Sequence, residues 1–204
     1  GQELLHAIID WQTAPISYSH KPSVLINLGS LQSSQLAKLW SKFGKDYLNA
    51  ESSCLNGEHH CNYYNFDIDI ICDEIIYNDI IFKPFFGINN SLHLFCYTFH
   101  RLEMICQNED IRSFLREAGY SFLEPEYCIA NLKKRFRLSC PHEIGIFLGY
   151  PLDDVKAFIE NRGKNYLFNG YWKVYSDVPG AVKRFQSYNE AKIRMLRKWM
   201  VKQG

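Results

Sequence analysis

Residues 140–163 read CPHEIGIFLGYPLDDVKAFIENRG, and this stretch decides the fold of the C-terminal half of the chain. An apolar segment follows Pro141, Gly149 interrupts it, and a second segment with helical spacing runs to the end of the stretch. Glycine accepts the left-handed backbone that a tight turn after a helix requires. The pattern therefore predicts a helix-turn-helix-like hairpin over residues 141–162, with Gly145 small where its two helices cross.

The segments around this hairpin are also predicted to be mainly helical. Residues 102–119 read as one helix or two short ones that end near Gly119, and Pro125 is suited to the start of the next helix. GYWKVYSD (170–177) alternates as a strand does. The final helix, over residues 179–202, is predicted to bury a stripe formed by Val182, Phe185, Ile193, Leu196 and Met200.

In the N-terminal half, part of the sequence changes from the helical spacing of apolar residues to the alternation that is typical of strands. Its first ten residues after Gly1 predict a short helix, and Pro15 and Pro22 predict an extended segment from Thr13 to Leu28. A helix is expected over residues 33–48 and a loop over 49–62. Alternating residues then predict strands in NFDIDIIC (65–72) and around a turn at Asn78-Asp79, and SLHLFCYTFH (91–100) reads as a third strand. Together the segments predict a single α+β domain over residues 1–204, with a small, mainly antiparallel sheet packed against several helices and one sheet face open to solvent.

Composition excludes several classes of protein. The 204 residues are 47% hydrophobic and 22% charged, which is typical of a globular domain rather than a disordered chain. No apolar run approaches the roughly 18 residues that a membrane-spanning helix needs, so no membrane partner is expected. Seven cysteines without a CxxC pair indicate free thiols, and therefore a cytoplasmic location.

Charge is unevenly distributed along the chain. Residues 1–100 carry five Lys, no Arg and ten acidic residues, whereas residues 101–204 carry 18 basic and 12 acidic residues. Such an asymmetry is found in proteins that bind polyanions, and it is found equally where two halves of a chain complement each other. The second explanation is preferred, because helices carry Lys and Arg routinely.

His142 and Glu143 are the candidate catalytic residues. Histidine titrates near neutral pH and a carboxylate can tune it, a combination suited to general acid–base catalysis. Adjacent side chains on a helix do not face each other, however, and an acid in the first turn is favoured by the helix dipole alone. A capping and packing role is therefore the preferred interpretation of this pair.

Nucleic-acid binding is the second role considered for the hairpin. A DNA-binding helix-turn-helix places its second helix in the major groove. Here that helix begins with Asp153 and Asp154, whose negative charges oppose binding to phosphates. Both residues instead suit the N-cap and first turn of a helix. Nucleic acid is accordingly a disfavoured partner.

Three further groups of residues have side chains suited to binding. His59, His60 and Cys61 are candidate metal ligands within one loop, although no second ligand pair stands at a typical zinc spacing, so a surface loop is preferred. Trp172, Lys173 and Tyr175 form either part of the core or a surface for stacking and anion binding. His93 is expected on the strand face opposite Cys96 and His100.

The hairpin and the segments after it carry a family resemblance. PHEIGIFLGYPLDDVKAFI (141–159), GYWKVY (170–175) and the final-helix residues Ala181, Phe185 and Tyr188 resemble a bacterial family of anaerobic Firmicutes, domain-of-unknown-function family 3793. Ala14-Pro15 and KPSVL (21–25) match it too, whereas residues 49–90 look like a family-specific expansion. The resemblance implies a loose link to iron and flavodoxin-type physiology but no activity and no cofactor. The cysteines that members carry around G-x-WKVY are replaced here by residues such as Leu167, Phe168 and Tyr171.

These observations support three functional hypotheses. The preferred one is a non-catalytic binding or accessory protein with a small-molecule or protein partner, which a pocket lined by Tyr, Trp and His would support. The second is a small enzyme that uses His142 and Glu143, and it requires both side chains at one cleft. The third is nucleic-acid binding through residues 141–162 and the basic C-terminal helix, and it requires a continuous basic face.

Overall fold

A computed structural model describes residues 2–30, 75–88 and 91–202 of the chain. The predicted helix over 33–48, loop over 49–62 and strand over 65–72 lie outside these residues. In chain order the described elements are α1 (Gln2–Tyr18), β1 (Ser23–Ser30), β2 (Ile75–Tyr77), β3 (Ile80–Phe86), β4 (Ser91–Tyr97), α2 (Phe99–Gln107), α3 (Glu109–Glu117), α4 (Pro125–Phe136), α5 (Ile144–Phe147), α6 (Leu152–Glu160), β5 (Phe168–Asn169), β6 (Lys173–Val174) and α7 (Val178–Lys202).

The predicted α+β fold is confirmed, with an antiparallel sheet in the order β1-β4-β3-β2. Asn78 and Asp79 join β2 to β3 with φ angles of 48° and 62°. Two successive left-handed residues make the tight turn that matches the twist of a hairpin, so the predicted turn is confirmed. A second, two-residue ladder pairs β5 with β6.

Both faces of this sheet are packed, so the expectation of a solvated face is wrong for the described strands. On one face, Ile9 and Ile16 of α1 contact a cluster of strand residues: Val24, Ile26, Ile80, Phe82, Leu94 and Cys96. On the other face, Phe85 and Phe95 belong to a larger core supplied mainly by α2 to α6. His93 and Cys96 lie on opposite faces, as their spacing predicts.

Helix α1 is longer than the sequence indicates. It continues through Pro15 to Tyr18, so the prediction of an extended segment from Thr13 is wrong as far as Tyr18. Proline removes one backbone donor from a helix, but burial of apolar side chains on both sides of it outweighs that cost here. Ala14 and Ile16 are almost fully buried. The extended chain begins only near Pro22.

Strand β4 ends earlier than predicted, because the chain turns at Thr98 and α2 begins at Phe99. His100 is therefore a helical residue, and the period-2 argument does not apply to it. Of the two alternatives left open for residues 102–119, one helix or two short ones, the structure has two helices, separated at Asn108. The side-chain oxygen of Asn108 accepts a hydrogen bond from the backbone N–H of Ile111 and thereby caps α3.

The helix-turn-helix-like hairpin is confirmed, although α5 is a single turn. Gly149 has φ +79° at the predicted turn, and a Cβ atom there would lie 2.6 Å from Cδ of Pro22. A Cβ atom on Gly145 would lie 2.9 Å from Cγ2 of Val155. The two glycines therefore allow the hairpin to close on itself and to pack against the start of β1.

Helix α7 buries only part of the predicted stripe: Phe185 is buried as predicted, but most of the buried residues lie on a different face. Its buried residues are Ala181, Phe185, Tyr188, Ala191 and Met195, and the last two contact Ala14 of α1. Ile193, Leu196 and Met200 are 48%, 49% and 68% exposed, so their predicted burial is wrong. Small Ala residues let α1 and α7 approach closely, and this contact selects the buried face. None of the described helices is long and apolar enough to cross a membrane.

Replacement of Gly149 by Ala tests the contact between the hairpin and β1. We expect Gly149→Ala to lower the free energy of unfolding by about 2–4 kcal/mol, since it adds a clash with Pro22 to the cost of a positive φ. Gly29→Ala is the matched control, because Gly29 has φ +82° and no atom of the described residues lies within 4 Å of its Cβ position. Urea unfolding that gives equal losses for the two variants would contradict the contact.

Candidate functional site

Lys21, in the loop between α1 and β1, is buried beneath the hairpin. Its side chain is only 4% exposed, and Nζ donates a hydrogen bond to the backbone oxygen of Leu148 at 2.7 Å. The next residue but one, Ser23, donates from Oγ to the oxygen of Phe147 at 2.7 Å. These bonds satisfy carbonyl groups at the end of α5 that have no partner within the helix.

Aromatic rings enclose the amine of Lys21. Nζ lies 5.1 Å from the ring centroid of Tyr150 and 5.0 Å from that of Tyr188. Rings attract a cation through their negative faces, but they replace little of the hydration that a buried ammonium loses. Burial, reinforced by the nearby positive charge of Lys192, lowers the pKa of Lys21 to about 7. The buried amine therefore loses its proton at a much lower pH than an exposed lysine does.

Asp154 holds the ring that supports Tyr150. Trp172 stacks on Tyr150 with 5.0 Å between ring centroids, and its Nε1 donates to Oδ2 of Asp154 at 2.7 Å. Oδ1 of Asp154 accepts from the backbone N–H of Tyr175 at 2.8 Å, and from both the N–H and the hydroxyl of Ser176 at 3.1 Å. The carboxylate is 2% exposed, so these hydrogen bonds replace its hydration. We name Lys21, Tyr150, Asp154, Trp172 and Tyr188 the Lys21 cluster.

Arg101 connects the Lys21 cluster to a cleft. Its Nη1 donates to the backbone oxygens of Ile16 and Lys21, both at 2.8 Å, and so fixes the loop after α1. Burial lowers the pKa of Arg101. A guanidinium nevertheless stays protonated at neutral pH.

The cleft that Arg101 lines has a volume of about 360 Å³ and lies between α1, the β2–β3 hairpin, the start of α2 and the end of α7. We name it the α1–hairpin cleft. It combines positive charge from Arg101 and Lys198 with negative charge from Asp10 and Asp79. The other lining residues are Thr13, Ile16, Ser17, Tyr18, Tyr77, Asn78, Ile80, Phe82, Thr98, Met195 and Trp199.

Thr98 contributes a hydroxyl group that is shielded from solvent in this cleft. It occupies the N-cap position of α2, but its side chain makes no capping hydrogen bond. Oγ1 of Thr98 has no hydrogen-bond partner in the part of the chain that the structure describes. Since buried hydroxyl groups are normally hydrogen-bonded, this atom is suited to contact a ligand. The backbone N–H groups in the first turn of a helix such as α2 favour a negatively charged one.

His142 and Glu143 have separate surroundings. His142 is exposed, with its ring edge against Phe158 at 5.2 Å between centroids. Glu143 is buried, where Oε1 lies 3.0 Å from Nη2 of Arg135 and accepts from the hydroxyl of Tyr120 at 3.3 Å. Burial and the Glu143 carboxylate both raise the pKa of Tyr120. The structure therefore does not bring the two candidate catalytic side chains to one cleft.

The three candidate binding residues in YWKVY also separate. Trp172 is a core residue of the Lys21 cluster. Lys173 donates from Nζ to the oxygen of Gly163 at 2.7 Å and lies 5.0 Å from the ring centroid of Tyr166. The Tyr175 hydroxyl is shielded and has no hydrogen-bond partner among the described residues. None of the three lines the α1–hairpin cleft.

The candidate metal ligands His59, His60 and Cys61 lie outside the residues that the structure describes. Within the described ranges, no group of three or more His, Cys, Asp or Glu side chains is placed to hold a metal ion. Cys96, Cys106, Cys128 and Cys140 are free thiols, in agreement with the prediction for these four.

A comparison with family models decides the relationship of the chain. The model described as "Protein of unknown function (DUF3793)" matches residues 9–203. The chain belongs to DUF3793. No curated protein and no solved structure matches it.

The residues by which this DUF3793 chain was recognised converge on Lys21 in three dimensions. KPSVL supplies Lys21, the PHEIG run supplies the carbonyl of Leu148 and the ring of Tyr150, and the last two segments supply Trp172 and Tyr188. Sequence reasoning missed Lys21 and Asp154, because a Lys after a helix and an Asp in a first turn are ordinary surface residues. The one signal in the sequence for Lys21 and Asp154 was that both lie within segments that resemble the DUF3793 family.

Asp154→Asn tests the carboxylate that anchors the cluster. An amide keeps only one acceptor oxygen and turns its own N–H groups toward donors, so we expect a loss of about 2–4 kcal/mol in unfolding free energy. The neighbouring and exposed Asp153→Asn is the matched control, with an expected change within about 0.5 kcal/mol. Urea unfolding followed by tryptophan fluorescence measures both, and equal effects would contradict the anchoring role.

The pKa of Lys21 predicts a pH dependence of stability. Unfolded lysine has a pKa of 10.5 and folded Lys21 one of about 7. The free-energy cost of burying the ammonium is therefore present in full below pH 7. This cost is relieved as pH rises toward 10.5, at up to about 1.4 kcal/mol per pH unit. Burial raises the pKa of Tyr150 to about 12, so that group stays neutral in this range.

We therefore expect the free energy of unfolding to rise between pH 7 and 8.5, below the range in which thiols with raised pKa values, such as Cys96 and Cys140, oppose the rise. Lys21→Met should remove much of this rise. The lowered pKa of Lys192 contributes a remainder of the same sign. The exposed Lys156→Met serves as control and should leave the slope unchanged. A slope that is equally steep in Lys21→Met would show that other groups cause it.

Proposed function

We propose that this DUF3793 protein is a non-catalytic binding protein of the bacterial cytosol, and that it binds a small zwitterion in the α1–hairpin cleft. The observation that carries the proposal is the composition of the cleft: opposite charges, aromatic rings and a shielded hydroxyl line one volume of about 360 Å³. That volume falls within the range of small-molecule sites. The link to iron or redox physiology stays a prediction about the setting of this ligand.

The lining of the cleft favours both charged groups of such a ligand. Thr98 Oγ1, the start of α2 and the positive charge of Arg101 favour a carboxylate or a phosphate. Asp79, exposed at the turn between β2 and β3, favours an amine. The rings of Tyr18 and Trp199 line the same cleft and provide apolar surface for the rest of the ligand. An α-amino acid has this arrangement of charge.

The arrangement of the alternative sites supports binding over the other hypotheses. Glu143 already pairs with Arg135 in the interior, where it stabilises the contact between α4 and the hairpin. Asp154 is buried as the anchor of the Lys21 cluster. Asp153 is exposed at the start of α6, and its negative charge lies where a DNA-reading helix needs a neutral or basic residue. The α1–hairpin cleft involves neither site.

Native mass spectrometry with metal analysis, on protein purified without a histidine tag, is the first test. We then expect thermal unfolding with a panel of α-amino acids to identify one that raises the Tm by about 5 °C or more at a hundredfold excess over its Kd. Inorganic phosphate, succinate and a diamine, which each carry one kind of charge, should raise it less.

Two variants place the ligand in the cleft. Thr98→Val removes the hydroxyl at constant shape and Asp79→Asn removes the charge while keeping a residue that accepts a left-handed turn, so each should reduce the ligand-induced rise in Tm. Asp153→Asn and Ser187→Ala are the matched controls. A panel without effect, a rise that both variants retain, or a stoichiometric metal without an organic mass would each contradict the proposal.

A further inference from the structure

The exposed side of α7 carries an apolar stripe. Ile193, Leu196 and Met200 follow each other at spacings of three and four residues, so their side chains lie in one row on the helix. They are 48%, 49% and 68% exposed. The same row continues toward the start of the helix through Asn189 and Val182. From Val182 to Met200 the row is about 27 Å long, at 1.5 Å per residue.

The first half of this row borders a shallow depression of about 540 Å³. Its walls are the helix residues Val182 and Phe185 and the residues Phe168 and Tyr171 of the β5–β6 hairpin. A Cβ atom on Gly170 would overlap the ring of Phe185, so glycine is required for the hairpin to approach α7 here. The depression has the size and lining to receive a large apolar side chain. We name the row and the depression together the α7 stripe.

The charge of α7 indicates what kind of partner the stripe accepts. The helix contains seven Lys or Arg residues and one Glu, a net charge of +6. Arg197 and Lys183 are exposed and lie at about 60–100° around the helix from the centre of the stripe. An apolar row beside a basic face is complementary to an amphipathic helix whose flanking residues are acidic.

We infer that the α7 stripe is a docking site for an acidic amphipathic helix of a partner protein. The partner lays about 18 residues along α7, with one large apolar residue in the depression and carboxylates facing Arg197 and Lys183. Gln186 and Asn189, which also line the depression, offer polar contacts to that helix. This surface lies on a different side of α7 from Met195 and Trp199 in the α1–hairpin cleft, so the inference is independent of the proposed ligand.

Other occupants fit these observations less well. A second copy of the chain would bring two helices of charge +6 together. A membrane surface accepts apolar and basic residues but gains nothing from Gln186 and Asn189 within the row. Nucleic acid uses the basic face but not the apolar row.

The test uses the full-length protein and a fluorescein-labelled peptide of 18 residues, with Leu along one helical face and Glu on both flanks. We expect fluorescence anisotropy to give a Kd on the order of micromolar in low salt, weaker in high salt. Leu196→Asp should weaken binding by about tenfold or more, and so should the double variant Lys183→Glu, Arg197→Glu. The control is Leu138→Asp, the same change at a residue 80% exposed on another surface.

Each outcome bears on the inference. A peptide with Lys in place of Glu should not bind, and the Tm of Leu196→Asp should stay within about 2 °C of the wild type. A large loss of Tm would indicate that the chain's own residues cover the stripe, and would overturn the inference. So would absence of peptide binding, dimerisation that Leu196→Asp abolishes, or binding to anionic vesicles or duplex DNA in place of the acidic peptide.

Discussion

The carboxylate of Asp154 is the interaction on which the C-terminal part of this structure depends. A buried negative charge without hydrogen bonds costs several kcal/mol or more, so the chain around it must supply donors at fixed positions. Trp172, Tyr175 and Ser176 supply them. Because these residues belong to the segment before α7, one carboxylate in the first turn of α6 determines where the β5–β6 hairpin lies.

The placement of Trp172 has consequences for the opposite end of the chain. Its ring supports Tyr150, and Tyr150 with Tyr188 covers the amine of Lys21. The amine in turn satisfies the carbonyl of Leu148, and Arg101 holds the backbone oxygen of Lys21. Hydrogen bonds and ring contacts thus connect Arg101, in the wall of the α1–hairpin cleft, to Asp154 of α6. The residues of α6 do not line that cleft. This connection explains why the segments that resemble the DUF3793 family, although far apart in sequence, surround Lys21.

The sequence predicts those elements whose signals are local. The turn at Asn78-Asp79, the start of α4 at Pro125 and the hairpin around Gly149 each follow from residues whose backbone preferences are strong. Helix α1 was predicted too short because Pro15 has an equally strong preference, which burial of Ala14 and Ile16 against the rest of the fold overrides. The buried face of α7 was misassigned since two apolar rows are present, and only contact with α1 decides between them.

The residues of the candidate site were harder to predict for the same reason. Lys21 and Asp154 acquire their properties from burial by segments more than a hundred and about twenty residues away, and periodicity contains no information about such contacts. The α1–hairpin cleft is assembled from four elements, none of which carries a recognisable motif. His142 and Glu143 were conspicuous in the sequence because they are adjacent, although adjacency on a helix separates side chains rather than bringing them together.

The hydrogen bond from Lys21 to Leu148 joins residues 127 positions apart, and that from Trp199 to Asp10 spans 189. Contacts at such separations close large loops, which makes folding slow compared with the formation of the local helices. During synthesis, α1 leaves the ribosome long before the helix that covers it exists. The side of α1 that faces α7, including Ala14 and Tyr18, is then still uncovered. Until translation ends, this side of α1 is exposed apolar surface of the kind that makes incompletely folded chains prone to aggregate.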